Sequence, residues 1–170
     1  SGNLRLKSIS VGWDHTCGVT DDNDAYCWGR GRYGRLGNGS SENSMIPTAV
    51  SGGLSFESVN SGLAHTCGKT TDGDAFCWGR GEDGILGNDS IESSLVSVPV
   101  SGGLTFGSID AGSATTCGIT TNGDAYCWGA SDFGSLLGQG DGDRAGKIAP
   151  GLVAGEFKFK PNSISVGLDH

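Results

Sequence analysis

The sequence has 170 residues, of which 32 are glycine and 4 proline, and a formal net charge of −8. So much glycine marks a chain dense in turns, yet Trp, Phe, Val, Ile and Leu recur at regular intervals, which indicates an all-β repeat composition rather than disorder. The acidity excludes nucleic acid as the main partner, because phosphate binding needs a basic footprint. No window approaches the about 18 uninterrupted apolar residues of a membrane-spanning helix.

In chain order, Leu4 to Val11 alternates apolar and polar side chains as a half-buried strand does, with a shift of phase at Lys7-Ser8. Gly12 ends that strand. HTCGVTDDNDAYCWG then occupies residues 15–29, and it returns as HTCGKTTDGDAFCWG at 65–79 and TTCGITTNGDAYCWG at 115–129. A glycine-punctuated loop, Arg30 to Gly39, follows the first copy, and Ile46 to Val50 is a short run leading into the next unit. Leu54, Phe56, Val59, Leu86 and Val98 hold the equivalent places in the second unit. The period is 50 residues, which gives repeats at 1–50, 51–100 and 101–155, the third with an insertion near 137–143. Ser163 to His170 repeats Ser8 to His15, so residues 156–170 read as the start of a fourth repeat within a longer polypeptide.

Each copy of the unit reads as a β-hairpin. A three-residue loop built on a type I turn needs its last residue at positive φ, and that residue is Asn23, Gly73 or Gly123. This loop sets Thr70 opposite Asp74 and, counting outward, Cys67 opposite Cys77. Opposed residues on antiparallel strands have Cβ atoms roughly 4.5–5.5 Å apart, closest in non-hydrogen-bonded pairs and near disulfide reach. The bridges expected are Cys17–Cys27, Cys67–Cys77 and Cys117–Cys127. A bridge in every repeat predicts an oxidising setting: extracellular, periplasmic or cell surface. Two cysteines with nine residues between them and no second close pair do not make a zinc site.

Trp28-Gly29 followed by Gly34-Arg35-Leu36-Gly37, and Trp78-Gly79 followed by Gly84-Ile85-Leu86-Gly87, each with a short Val/Pro segment and a strand ending in Gly-Xaa-Xaa-His-Thr, resemble the regulator of chromosome condensation repeat family. Trp128-Gly129 with Gly134-Ser135-Leu136-Leu137-Gly138 departs from the pattern by one inserted residue. The cysteine pairs resemble the secreted bacterial branch. The resemblance implies a β-propeller of four-stranded antiparallel blades, about three of them here plus the start of a fourth, from a seven-bladed ring or larger assembly. The remaining blades would come from the rest of the polypeptide or from other copies, or the blades would stack without closing.

Chemical sites are few. His15, His65 and His170 are of acid–base type, but Thr115 replaces the histidine in the third copy, which favours a hydrogen-bonded role at a strand end. Asp21, Asp22, Asp24, Asp141 and Asp143 are calcium-type donors, yet no run completes a calcium loop and aspartate belongs in tight turns. The glycine-rich loops lack the lysine and helix of a phosphate cradle. No metal, cofactor or catalytic residue is expected.

Positions that differ between copies while the backbone signals persist are free to bind. They are Trp13, Leu63, Ser113 and Leu168, then Arg32-Tyr33, Glu82-Asp83 and Asp132-Phe133, of which Trp13, Arg32, Tyr33, Asp132 and Phe133 are the candidate binding residues. Gly12 to Thr16 resembles the tryptophan-bearing motif of an ultraviolet-sensing branch of the family, but only one copy carries the tryptophan. Asn38-Gly39-Ser40 and Asn88-Asp89-Ser90 are glycosylation sequons in equivalent loops. The function expected is a non-enzymatic binding module for a protein or glycan. The alternatives are a structural subunit of an extracellular assembly, or a propeller of the enzyme-inhibitor or nucleotide-exchange type.

Overall fold

The computed structural model describes residues 4–130, 137–140 and 146–167. Twelve strands form three antiparallel four-stranded sheets. The first holds β1 (Leu6–Val11), β2 (His15–Thr20), β3 (Ala25–Gly29) and β4 (Ser44–Ala49) in spatial order. The second holds β5 (Phe56–Ser61), β6 (His65–Thr70), β7 (Ala75–Gly79) and β8 (Ser94–Pro99). The third holds β9 (Phe106–Ala111), β10 (Thr115–Thr120), β11 (Ala125–Gly129) and β12 (Lys147–Leu152). These are three consecutive propeller blades, and β1, β5 and β9 adjoin one another on the inner side.

The hairpin register follows from its loop. Asn23, Gly73 and Gly123 stand at φ 69°, 89° and 85°, and the amide of Thr70 donates to the carbonyl of Asp74 at 2.8 Å. Hydrogen-bonded and non-hydrogen-bonded pairs alternate outward from there, so the cysteines fall on a non-hydrogen-bonded pair. Cys17 pairs with Cys27, Cys67 with Cys77 and Cys117 with Cys127, each with Cα atoms 4.1 Å apart and a disulfide between them. By chain entropy each short loop contributes roughly 2–3 kcal/mol. The phase shift at Lys7-Ser8 is a β-bulge: Leu6 opposes Thr20 but Ser8 opposes Val19, and the second blade repeats it between Phe56 and Ser58.

The run at 46–50 belongs to the same blade rather than leading into the next one. Ser44–Ala49 is the outer strand, paired Tyr26 to Ala49 and Gly29 to Ser44. Pro47 conceals it in the sequence, because an edge strand alone tolerates a residue without a ladder donor. The glycine-rich loop also contains a single 3-10 turn, Arg32–Gly34, matched by Glu82–Gly84 in the second blade.

The core lies in the seams between blades. Cys17, Val19, Ala25, Cys27 and Leu36 of the first blade pack against Phe56, Val59 and Trp78 of the second. Cys67, Ala75, Cys77, Ile85 and Leu86 meet Phe106, Ile109, Ala111 and Trp128 in the same way. At the third blade's far face, Cys117, Cys127 and Leu137 are met by Val153, Ile164 and Val166.

Each seam is riveted at one carbonyl. The carbonyl of Arg35 accepts from Trp78 Nε1 at 3.0 Å and Thr66 Oγ1 at 2.9 Å. The carbonyl of Ile85 accepts from Trp128 Nε1 at 3.1 Å and Thr116 Oγ1 at 2.9 Å. Glycine is required beside it: a Cβ on Gly37, which stands at φ +66°, would lie 2.8 Å from Trp78 Nε1. On the first blade the equivalent face is open. Ile9 is 59% exposed where Val59 is 5% exposed, and Trp28 is only half-buried.

Two outcomes follow. Trp128→Ala should cost about 3–5 kcal/mol in urea denaturation, and Trp28→Ala less than half of that, because only Trp128 is fully enclosed. Alkylation of the native protein without reductant should label no cysteine, since every cysteine is bridged.

Candidate binding face

In each blade the turn between the first two strands and the 3-10 loop after the third lie at the same end of the sheet. Backbone bonds lock them together: Arg30 N donates to Asp14 O at 2.9 Å, Arg80 N to Ala64 O at 3.0 Å and Ala130 N to Ala114 O at 2.8 Å. Trp13, Arg32 and Tyr33 therefore share one face of the arc. Asp132 and Phe133 lie outside the described residues, as do Asp141, Asp143, Leu168 and His170.

The first blade's face is held by charge. Asp14 pairs with Arg30 at 3.0 Å through one oxygen and with Arg35 through the other. Arg35 is buried, and it also donates from Nη1 to the carbonyl of Leu63 at 3.1 Å and from Nε to the carbonyl of Arg32 at 3.0 Å. One side chain thus ties both loops of the first blade to the corresponding turn of the second. Burial pulls the Arg35 pKa below the ordinary arginine value, and the carboxylate of Asp14 opposes that shift. Neither Asp14 nor Arg35 stood out from the sequence. The pairing of an aspartate in one loop with an arginine 21 residues later was the available signal.

Tyr33 stands at φ 65°, unusual for an aromatic residue, and Asp83 repeats that geometry at 61°. The Arg32 guanidinium lies 4.6 Å from the Tyr33 ring centre. In the second blade the same turn carries Glu82 and Asp83, and both carboxylates face Arg80. Trp13 is 69% exposed and borders a cleft on the inner side, lined by Ser10, Gly12, Ser61 and Asp110 among others. Asp110 accepts the Val166 amide at 2.7 Å, and burial raises its pKa. The sequon residues Asn38 and Asn88 are both half-buried, and Asn38 Oδ1 accepts from Ser40 N at 3.1 Å.

The histidines belong to the seams. His15 Nε2 lies 2.8 Å from Thr66 Oγ1, and His65 Nε2 2.9 Å from Thr116 Oγ1. Each threonine gives its single hydroxyl proton to the carbonyl of Arg35 or Ile85, so each histidine must donate from Nε2. Nδ1 is then a buried lone pair without a partner in both residues. Protonating it would place a charge and an unmet donor in the seam. Burial, then the Arg35 guanidinium, lowers the His15 pKa to about 4, with Asp14 opposing; burial, then His15, Arg35 and Arg80, lowers that of His65 to about 3. Neutral, enclosed and bonded to a hydroxyl, they are placed for packing rather than proton transfer. Among the described residues no cluster of three or more metal-ligating side chains occurs.

A depressed histidine pKa stabilises the fold fully above the unfolded value near 6.5, and this is lost as the pH falls toward 4 and 3. Between pH 6 and 5 the unfolding free energy should therefore drop with decreasing pH, by up to about 1.4 kcal/mol per pH unit for each histidine. His65→Gln should remove about half of that slope in chemical denaturation.

Two models of the Regulator of chromosome condensation (RCC1) repeat match the chain, one over residues 6–35, 56–85 and 108–135 and the other over 22–68. The chain is 44% identical over 48 residues to the ultraviolet-B receptor UVR8 of Arabidopsis thaliana, covering 28% of this chain and 11% of the receptor. The fold superposes on yeast RCC1 (Prp20), solved bound to Kap60, with a TM-score of 0.78 at 21% identity, over 89% of this chain and 37% of that one. The ectodomain of the Physcomitrella patens receptor kinase CR4 gives 0.53 at 28% identity, over 77% of this chain and 31% of that one. The chain spans well under half the length of each of these proteins. With its three consecutive blades, its tryptophan rivets and family matches over more than half of its residues, the chain belongs to the regulator of chromosome condensation repeat family.

Proposed function

We propose that this chain is a non-enzymatic binding module of a secreted or cell-surface propeller, holding a protein or glycan on the face that carries Trp13, Arg32 and Tyr33. One observation carries the reading. On a backbone that the first two blades share, down to the positive φ of Tyr33 and Asp83, the first blade presents, at one end, an exposed tryptophan and an arginine over a tyrosine ring where the second has Leu63, Glu82 and Asp83. Tryptophan, tyrosine and arginine are the side chains enriched at interface anchors. The buried aromatic and polar groups of the seams hold the scaffold and leave this face free.

The disulfides support the location, since structural bridges persist in oxidising compartments. Yeast RCC1, which has the same fold, was solved bound to Kap60, and this supports a protein as the partner. A second reading, a structural subunit of an extracellular assembly, is favoured by the open face of the first blade, where Ile9 and Val11 are exposed. Further blades, from a longer polypeptide or from other copies, would cover it.

The test is chemical cross-linking and co-precipitation from the extracellular and surface fractions of the source cells, together with a glycan array. Wild type should recover a partner that Trp13→Ala/Tyr33→Asn does not, with the melting temperature unchanged; asparagine tolerates the positive φ at 33. Equal recovery by both proteins would remove the loop face from the reading. Fibres or end-to-end arcs in electron micrographs of the natural material would favour the structural reading instead.

A further inference from the structure

The charge on the binding face is inverted relative to the rest of the chain. Overall the protein carries −8, and the second blade's 3-10 turn sets two carboxylates, Glu82 and Asp83, against the single guanidinium of Arg80. The first blade's loop carries three arginines, Arg30, Arg32 and Arg35, and the carboxylate of Asp14 pairs with two of them, Arg30 and Arg35. Asp14 is fully engaged, one oxygen on Arg30 and the other on Arg35.

Arg32 is the cation left over. Its side chain is exposed, and among the described residues it has no carboxylate partner. Its guanidinium carbon lies 4.6 Å from the Tyr33 ring centre, a cation–π contact, and among the described residues no carboxylate occupies its N–H edge. That edge matches a carboxylate in the two-pronged geometry arginine prefers. The backbone of the turn is held from below, since Arg35 Nε donates to the Arg32 carbonyl at 3.0 Å, and Tyr33 stands at φ 65°. At the same end of the blade, in the turn that the Arg30 amide bonds to at Asp14, Trp13 offers an exposed ring bordering the inner cleft.

Together these observations describe a patch with a seat for a carboxylate and a neighbouring apolar surface. We infer that the Arg32–Tyr33 turn and Trp13 bind an acidic peptide segment of a partner protein, with a carboxylate on Arg32 and an adjacent apolar side chain against the Trp13 ring. This rests on the loop-face reading above and adds the chemistry of the partner. Charge decides it: an acidic protein presenting an isolated cationic, aromatic patch attracts carboxylates there and repels them elsewhere, which favours one orientation of docking. The aromatic and arginine composition is that of protein interface cores.

The experiment is selection of a random dodecapeptide library on the whole chain, followed by fluorescence anisotropy with the synthesised winners at low and physiological salt. Enriched peptides should carry Asp or Glu next to an aromatic or aliphatic residue, and binding should weaken as salt rises. Arg32→Gln should weaken binding about tenfold or more, the effect of losing a charged hydrogen-bond pair. Arg80→Gln, whose guanidinium is already occupied by Glu82 and Asp83, should change it less than twofold.

Selection of basic or uncharged peptides, or an unchanged affinity for Arg32→Gln, would overturn the inference. Polygalacturonate fragments binding more tightly than the peptides would overturn it in favour of an anionic glycan. Concentration-dependent self-association in analytical ultracentrifugation, abolished by Arg32→Gln, would do so in favour of a second copy. If Trp13→Ala and Tyr33→Asn abolish binding while Arg32→Gln does not, the loop face binds but not through this carboxylate seat. If none of the three changes matters, the loop-face reading fails with it.

Discussion

A single backbone carbonyl per seam, that of Arg35 or Ile85, receives both the indole N–H and the threonine hydroxyl of the following blade. An isolated four-stranded blade buries little by itself, and these carbonyls are where one blade becomes committed to the next. The indole brings its apolar surface into the seam and satisfies its one polar atom on a carbonyl that also accepts the threonine hydroxyl. Gly37 and Gly87 follow from this, since any side chain there would occupy the space of the indole. So does the neutral state of His15 and His65, whose Nε2 protons complete the chain to the same carbonyl through threonine.

The disulfides reinforce the same boundary. They lie across adjacent strands at the blade surface, and four of the six cysteines are wholly covered by the next blade. Each bridge therefore stiffens a hairpin and also serves as apolar filling between blades. In the third blade the cover comes from Val153, Ile164 and Val166, and a cleft remains beside Phe159 and Ile164.

With the scaffold anchored in the seams, the loops at one end of the blades can vary without cost to the fold. In the first blade the variation is electrostatic. Arg35, paired with Asp14, donates across to the carbonyl of Leu63, so the loop face and the seam share a residue, and the position of the Arg32 carbonyl depends on how the first two blades sit. The second blade places Ile85 where Arg35 stands, and its turn neutralises Arg80 internally. Near-identical backbones thus present faces of opposite character.

Much of this was legible in the residues. The 50-residue period, the three-residue hairpin loop with Asn23, Gly73 or Gly123, the pairing of the cysteines and the bulge after Leu6 all follow from local rules. Turn chemistry sets register, and register sets which side chains oppose each other. The outer strand Ser44–Ala49 was obscured by Pro47, since membership of an edge strand depends on a neighbour and not on the segment itself. The seams and the face were decided only in three dimensions. Thr66 meets His15 across 51 residues and Trp78 meets Arg35 across 43. No local propensity encodes such contacts, which exist only once two blades are packed. The sequence alone determined the blades; the packing of one blade on the next determined which polar groups are sealed away and which guanidinium is left without a carboxylate among the described residues.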